Sequence, residues 1–370
     1  MEVGTTFAFA GWGGTDSDEE VWRTELAMAD LAEPLGFESI WSIEHHFSNY
    51  TMVPDVLQFL TYMAGRTTNV KLGSSVVVLP WHDPLRVAEQ VSVLDHMSRG
   101  RFVLGLGRGT GKIEYDGFRT NMAHARDIFR ESAEALLSSL ESGVMEYSGQ
   151  HIVQPRVEIH PKPLRSFKGR VYSASISPES AEIMAKLGTG ILIVPQKPWK
   201  LIREDVISYR HVYREFNGEE PPAPIVASSV FVDRSADKAE ALARKYMSTF
   251  WSSVVAHYQF DEPHLSQTPG YEFHGKMYNL LKEPGGLEKM QDFYIGLQPW
   301  GTPDQVLEKI LRFTDLVGSD NYLAQFRYGG MPVDLAEANM RLFASDVMPA
   351  LKALPPAIER PGVEQAVISA

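Results

Sequence analysis

The chain has 370 residues, 44% of them hydrophobic, and carries a formal net charge of −12. Because an acidic chain lacks the basic face that neutralises phosphate groups, we expect no nucleic-acid partner and no attachment to anionic membranes. The chain contains no cysteine, which excludes disulfides, thiolate nucleophiles and thiolate metal ligands.

The first residues, MEVGTTFAFAGWGG, do not have the pattern of a targeting segment. They contain no basic region followed by a long apolar run, which a signal peptide requires. Elsewhere in the chain, no stretch approaches the ~20 consecutive apolar residues of a membrane helix. We therefore expect a cytoplasmic protein.

Short β-branched and aromatic runs alternate with helical patterns along the chain. They predict eight strands, at Glu2–Ala10, Ser39–Ile43, Val70–Val77, Arg101–Leu106, Arg170–Ala174, Gly190–Val194, Pro224–Val232 and Tyr322–Phe326. Helical periodicity is seen at Trp22–Leu35, Leu85–Met97, Ala123–Leu140, Ser180–Leu187, Lys200–Phe216, Ala236–Ser252, Pro303–Leu316 and Leu335–Leu351. This alternation predicts one α/β domain over residues 1–370, a (β/α)8 TIM barrel. A doubly wound sheet is the alternative, since alternation alone does not show closure.

Two connections are long for a compact barrel. One runs from Glu141 to Lys168, and the other from Ala256 to Trp300. Loops of this length are usually functional or disordered. Because the second is rich in proline and glycine, we predict a mobile active-site loop over residues 256–300, a long insertion before the eighth strand. A surface insertion without a role is the alternative.

The second predicted strand leads into Glu44-His45-His46. Active sites of α/β barrels lie at the carboxyl ends of the strands, and an imidazole there suits a general base or hydrogen-bond donor. Adjacent histidines point in different directions and bind one metal ion poorly, so we predict no metal site. A metal-dependent hydrolase with His82 and Asp83 as further ligands is the alternative.

The next two strand exits carry small residues and arginine. Residues 74–80 read SSVVVLP, and small side chains there let a flat ring approach the backbone. Residues 105–111 read GLGRGTG, which is not a dinucleotide fingerprint because Thr110 stands where the third glycine belongs. The guanidinium groups of Arg108 and Arg126 fit phosphate oxygens, although ordinary surface ion pairs are the alternative.

The fifth strand is followed by Ser177-Pro178-Glu179-Ser180, the pattern of a helix start. The free N–H groups of such a helix start form an anion site, and simple capping is the alternative. Taken together, the imidazole pair, the glycine-arginine loop and this helix start suit a phosphorylated planar cofactor better than a metal.

In their order and spacing, these motifs resemble the bacterial luciferase family of flavin-dependent monooxygenases, and most of all its α-subunit group. The resemblance covers essentially the whole chain. The shared segments include GF at 36–37, EHHF at 44–47, VLP at 78–80, SRGRF at 98–102, RG at 108–109, ESA at 179–181, GTP at 301–303 and LFASDVMP at 342–349. It implies a TIM barrel that binds reduced FMN (FMNH2) at its C-terminal mouth.

The resemblance also implies which residues bind the cofactor phosphate. Arg108 and Arg126 would hold the phosphate, with Glu179 and Ser180 beside them at the helix start. A further phosphate contact of the family, a threonine, falls on Ile183 and is predicted to be lost here.

The flavin ring and the reaction are assigned in the same way. The resemblance implies a non-proline cis peptide at Ser75–Val76 under the ring, with Glu44 and Gly107 beside the cofactor and His45 as the catalytic histidine. Gly107 replaces a cysteine of luciferase, which predicts more room at that point. This change, together with proline in place of a tryptophan at Pro195, argues against light emission as the physiological function.

The function implied is that of a two-component monooxygenase. A separate NAD(P)H:flavin reductase would supply FMNH2, and oxygen as co-substrate would give a flavin peroxide that oxygenates a small apolar organic substrate, such as an aldehyde, a ketone or a polycyclic metabolite. The family also forms dimers, so a homodimer is expected. The alternatives are a deazaflavin-dependent oxidoreductase of the same superfamily and a non-catalytic partner subunit.

Overall fold

The eight predicted strands form a closed parallel barrel in the computed structural model. The structure describes residues 1–174, 178–360 and 363, without the side chains of residues 178, 179 and 273. The strands of the chain are β1 Glu2–Phe7, β2 Ser39–Ser42, β3 Lys71–Ser74, β4 Val77–Val78, β5 Phe102–Gly107, β6 Val144–Ser148, β7 Val153–Glu158, β8 Val171–Ala174, β9 Gly190–Ile193, β10 Ile225–Ser229, β11 Phe231–Val232, β12 Trp300–Gly301 and β13 Asn321–Gln325.

The barrel order is β1, β2, β3, β5, β8, β9, β10 and β13, and β13 pairs with β1 to close the ring. The pairing of β13 with β1 and that of β3 with β5 leave no open edge, so the TIM barrel is confirmed and the doubly wound sheet is excluded. The predicted third strand is interrupted at Ser75–Val76, after which β4 pairs with β5.

Helices cover the outside of the barrel and one of its ends. They are α1 Asp18–Asp30, α2 Val56–Arg66, α3 Pro84–Met97, α4 Lys112–Phe118, α5 Ala125–Ser142, α6 Pro178–Lys186, α7 Trp199–Asn217, α8 Ala236–Tyr258, α9 His264–Gln267, α10 Glu272–Leu281, α11 Gly286–Leu297, α12 Pro303–Val317, α13 Val333–Asp346 and α14 Met348–Lys352. Every predicted helix is present, although the last of them is divided into α13 and α14, and neither α2 nor α4 was predicted. No helix in the described residues has the length and apolar character that crossing a membrane requires.

Local signals explain where several helices begin and end. Ser17 caps α1 in a capping box with Glu20, and Thr302 does the same for α12 with Gln305. At its other end α12 stops at Gly318, whose φ of 62° is easily reached only by a residue without a side chain.

Both long connections contain regular structure. Residues 141–168 hold an antiparallel hairpin of β6 and β7. Residues 259–299, which we call the helical insertion, hold α9, α10 and α11 between α8 and β12. The prediction of a loop at 256–300 was therefore wrong in its secondary structure. Buried apolar side chains such as Leu265, Tyr271 and Ile295 explain why these short helices form. The mobility of this segment stays a prediction.

A buried ion pair joins the helical layer to the barrel. Arg170, at the start of β8, donates from both of its terminal nitrogens to the carboxylate of Asp95 on α3, at 2.6 and 3.1 Å. Asp95 is fully buried and also accepts a hydrogen bond from the Leu164 backbone. Such a bidentate pair in the interior leaves an uncompensated charge if either partner is removed.

We therefore predict that Arg170→Ala lowers the free energy of unfolding by about 3–5 kcal/mol. Urea unfolding followed by circular dichroism measures this change. Arg66→Ala is the matched control, because Arg66 also forms a bidentate pair, with Asp30, but at the surface. Equal losses in the two variants would contradict a special role for burial.

Candidate active site

A deep cavity opens at the carboxyl ends of the barrel strands. It encloses about 1670 Å³, including its open mouth, and every barrel strand or the loop after it contributes to its wall. The wall contains eight predicted site residues: Glu44, His45, Ser75, Val76, Gly107, Arg108, Arg126 and Ser180. The structure brings these residues together, while their roles stay predictions. The side chain of Glu179 lies outside the described residues.

Strands β3 and β5 approach each other very closely beside the cavity. A Cβ atom on Gly105 would lie 1.8 Å from the carbonyl oxygen of Ser74, and one on Gly107 would lie 2.2 Å from Val76 Cγ2. Glycine is therefore needed at both positions. The bond between Ser75 and Val76 is cis, as the resemblance implied. The extra room predicted at Gly107 is absent, because Val76 occupies it.

Two guanidinium groups converge at the mouth of the cavity. A Cβ atom on Gly270, in the helical insertion, would lie 3.1 Å from both Arg108 Nη1 and Arg126 Nη2. Among the described residues, the buried atoms Arg108 Nη1 and Arg126 Nε have no hydrogen-bond partner. Two half-buried cations with unpaired donors suit the oxygens of a phosphate group, which would neutralise both charges.

The helical insertion is attached to this arginine pair. The guanidinium of Arg108 lies 4.0 Å from the ring centre of Tyr271, and the Tyr271 hydroxyl donates to the carbonyl oxygen of Gly109 at 2.8 Å. Arg126 Nη2 lies 3.5 Å from the carbonyl oxygen of Gly270. Burial and the nearby charge of Arg108 lower the pKa of His274 to about 4, so this imidazole is neutral at pH 7.

The helix start after β8 lies near the same site. Ser180 is the third residue of α6 and lines the cavity, and Ile183 lines it one turn further on. The predicted capping residue Ser177 lies outside the described part of the chain. The wall therefore offers a hydroxyl at Ser180 and an apolar side chain at Ile183, the position for which the resemblance implied the loss of a threonine.

His45 is held by a buried carboxylate that the sequence analysis missed. Its Nδ1 lies 2.9 Å from Glu114 Oε1, which also accepts a hydrogen bond from the His46 backbone at 2.9 Å. Burial would raise the pKa of Glu114, but the charge of His45 and contacts with His257 and His45 lower it to about 2. Since an ionised carboxylate only accepts hydrogen bonds, Nδ1 of His45 carries a proton, and its Nε2 lies 3.2 Å from the hydroxyl of Tyr258.

A second histidine completes this group. His257 Nε2 lies 3.4 Å from Glu114 Oε1, and its Nδ1 lies 2.8 Å from the hydroxyl of Ser48. Burial lowers the pKa of His257, although Glu114 opposes this change. Ligand atoms of His45, Glu114 and His257 all lie within 4.8 Å of one another, so these three residues could hold a metal ion. Glu114 lies on the short helix α4, and His257 lies beyond the predicted end of α8, where no sequence pattern marked the rim of the barrel.

The carboxylate of Glu44 accepts hydrogen bonds from its neighbours, so it is not free to bind a ligand. It accepts hydrogen bonds from His46 at 3.1 Å, from His82 at 2.7 Å and from the Val78 backbone at 3.0 Å. Burial raises its pKa, but these hydrogen bonds outweigh that effect and lower it. The metal ligands considered from the sequence are used elsewhere, because His82 binds Glu44 and Asp83 caps α3.

Comparisons with known proteins agree with this geometry. The sequence profile of a family described as "Luciferase-like monooxygenase" matches residues 1–320. The chain is 28% identical over 340 residues to the alkanal monooxygenase alpha chain of Photorhabdus luminescens, a match that covers 91% of this chain and 94% of that one.

Three solved structures share the fold. The monooxygenase RslO1 from Streptomyces bottropensis has a TM-score of 0.78 at 23% identity and covers 95% of this chain and 99% of its own. The oxygenating constituent of 3,6-diketocamphane monooxygenase from Pseudomonas putida, in complex with FMN, has a TM-score of 0.70 at 18% identity, with 96% and 99% covered. A coenzyme F420 dependent tetrahydromethanopterin reductase from Methanopyrus kandleri has a TM-score of 0.62 at 20% identity, with 95% and 100% covered.

The lowered pKa of Glu114 predicts a pH-dependent contribution to stability. Its ordinary pKa of 4.5 falls to about 2 in the folded chain, so its stabilising effect is complete above pH 4.5 and is lost as the pH falls toward 2. We expect Glu114→Gln to be less stable than the wild type at pH 7. The difference should shrink by about 1 kcal/mol per pH unit between pH 4.5 and 3.

Urea unfolding at pH 7, 4.5 and 3.5 measures this difference. Glu89→Gln, a change of a half-exposed carboxylate on α3, is the control and should leave the free energy of unfolding nearly unchanged. The stability difference between wild type and Glu114→Gln could instead be the same at all three pH values. That result would show that the neighbours of Glu114 do not lower its pKa.

Proposed function

The chain belongs to the luciferase-like monooxygenase family, which confirms the resemblance seen in its sequence, and on that premise we propose that it uses reduced FMN and oxygen to oxygenate an apolar organic substrate. The observation that carries the proposal lies at the mouth of the cavity, where Arg108 and Arg126 each have a guanidinium donor without a partner among the described residues. A cavity with a cationic mouth suits a cofactor that carries a phosphate group at one end.

The residues of the cavity fit FMN at both of its ends. The two arginines and the hydroxyl of Ser180 would hold the phosphate, and the wall formed by Val76 and Gly107 would support the ring. When bound, reduced FMN supplies the electrons for a reaction in which one oxygen atom of dioxygen enters the substrate and the other becomes water.

The imidazole of His45 is the group best placed to exchange a proton in the cavity. Glu114 holds the proton on Nδ1, so in the neutral imidazole Nε2, which lies 3.2 Å from the hydroxyl of Tyr258, is the atom that can accept a proton or a hydrogen bond from a reacting group. Burial raises the pKa of Tyr258 well above its ordinary value, so its hydroxyl is a donor and not a base near neutral pH.

The helical insertion supports the exclusion of water from the reaction. It lies against the arginine pair and contributes Gly270 and His274 to the wall of the cavity. Reactive oxygen chemistry needs a dry site, because water diverts the oxidant to side reactions. We propose that this segment covers the bound cofactor.

We also propose two partners for the chain. The sequence at residues 105–111 lacks a dinucleotide fingerprint, which supports a separate NAD(P)H:flavin reductase as the source of reduced FMN. The neighbouring helices α2 and α3 expose the apolar side chains of Tyr62, Val93 and Met97, which supports a homodimer through this flank of the barrel.

A deazaflavin-dependent oxidoreductase is the second candidate. It is favoured by the likeness of the fold to the coenzyme F420 dependent reductase, and the arginine pair recognises a phosphate group whichever ring it carries. Such an enzyme would transfer a hydride and would not consume oxygen. A comparison of the binding of the two reduced cofactors separates the candidates.

If the arginine pair binds the FMN phosphate, Arg108→Ala and Arg126→Ala should each raise the Kd for FMN about 10- to 100-fold, the range expected for the loss of a charge-assisted hydrogen bond. The quenching of flavin fluorescence measures this change. Riboflavin has the same ring and no phosphate, so its affinity should be the same in all variants. Arg119→Ala, at an exposed arginine, is the control. Unchanged FMN affinity in both variants would contradict the proposal.

The oxygen transfer itself is tested with ¹⁸O2, a flavin reductase and two probes, decanal and 1-tetralone. We expect one ¹⁸O atom in the acid or lactone product, measured by mass spectrometry. His45→Gln should lower the yield about 10²- to 10⁴-fold without changing FMN affinity, as expected for the loss of an acid–base group. His96→Gln, at an exposed histidine, should have no effect. Oxidation of reduced FMN with no ¹⁸O in either product would contradict a monooxygenase.

A further inference from the structure

A row of polar side chains crosses the wall of the cavity opposite the arginine loop. Thr6 on β1 and Ser229 on β10 are both paired in register with Gln325 on β13, and all three line the cavity. In the barrel order, β13 lies four strands away from β5, so this row faces the glycine-arginine loop across the barrel. A cofactor bound through Arg108 therefore leaves this row for another ligand.

The end of the helical insertion adds an amide to this row. Gln298 follows α11, and its Oε1 accepts a hydrogen bond from the Ser229 backbone at 3.0 Å. This contact fixes which end of the amide is the acceptor, so its Nε2 is the donor end. Gln298 lines the cavity and is only 3% exposed, and in the described part of the chain its Nε2 has no partner.

Two further groups of the same wall lack partners among the residues the structure describes. They are Trp251 Nε1 and Thr6 Oγ1, and both residues line the cavity and are nearly buried. The indole N–H of Trp251 and the amide N–H of Gln298 can only donate hydrogen bonds, so each of them needs an acceptor atom as its partner. A buried donor without a partner is costly, which favours a ligand that brings an oxygen to this wall.

The side chains next to this polar row are aromatic. The ring of Trp251 stacks on that of Tyr294, with 5.0 Å between centroids and an angle of 22°, and Phe250 lies 6.1 Å from Tyr294. The hydroxyl of Tyr294 is bound to Ser229 at 3.0 Å, which links the aromatic side chains to the polar row. Aromatic walls favour planar ligands over flexible saturated chains, because ring faces pack with offset stacking.

We propose that this wall, through Gln298 and Trp251, recognises the carbonyl oxygen of a planar aromatic ketone or quinone as the substrate. The inference rests on the proposed function, since it names the substrate class of the same cavity. A carbonyl oxygen has two lone pairs and can accept from both N–H donors. The ring that carries it packs against the aromatic side chains of α8 and α11.

The experiment compares two ligands that differ only in the carbonyl group. 1-Tetralone and its parent hydrocarbon tetralin are titrated into the full-length protein, with and without oxidised FMN, by isothermal titration calorimetry. We expect 1-tetralone to bind about tenfold more tightly than tetralin, the effect of one to two net hydrogen bonds. Equal affinities for the two ligands would overturn the inference.

The variants test which residue reads the carbonyl group. Gln298→Glu at pH 8 keeps the acceptor for the Ser229 backbone and removes the amide donor, so the preference for 1-tetralone should disappear. Because this variant also buries a carboxylate, its folded state is checked by circular dichroism before the titration. Trp251→Phe should reduce the preference in the same direction. Gln291→Leu removes an amide of the same helix α11 that binds Ser252 and does not line the cavity, and it should keep the full preference.

The two proposals fail in different ways. Phosphate-dependent FMN binding together with equal affinities for tetralone and tetralin would leave the proposed function standing and overturn the substrate class. A carbonyl preference that survives in Gln298→Glu and Trp251→Phe would also overturn it. A carbonyl preference without FMN binding would support the recognition wall and contradict the monooxygenase.

Discussion

The buried carboxylate of Glu114 is the contact on which the rest of the site depends. It fixes His45 through Nδ1, and it lies on the short helix α4, whose next residue, Tyr115, donates to the carbonyl oxygen of Arg108. Tyr115 also meets the hydroxyl of Tyr271, in the helical insertion, at 3.3 Å. One turn of α4 therefore fixes the positions of His45, the loop at Arg108 and the helical insertion relative to one another.

The fold was predictable because its signals are local. The strands of a parallel barrel are buried on both faces and appear in the sequence as short apolar runs, and all eight were found. The rim residues followed from the rule that strand ends converge, which is why Arg108, Ser180 and His45 were identified. In contrast, α2 was missed, although its buried residues Val56, Leu57, Phe59, Leu60, Met63 and Ala64 have the spacing of one helix face.

What the sequence did not reveal depends on contacts between distant segments. Glu114 and His257 are 143 positions apart and meet only because α4 and α8 pack together at the rim. The helical insertion was assigned as a loop because its proline and glycine residues separate three short helices. The side chain of Val76 fills the space beside Gly107, and that packing could not be deduced from a glycine alone.

The helical insertion touches both ends of the cavity. Gly270 and Tyr271 lie against the arginine pair, while Gln298, at the other end of the same segment, lies against the polar row. A ligand at either end that favours one position of this segment therefore biases the other end as well. Thermodynamic reciprocity then requires each ligand to change the affinity of the other by the same factor. Under the proposed function, retention of the cofactor and recognition of the substrate are therefore two measures of a single coupling free energy.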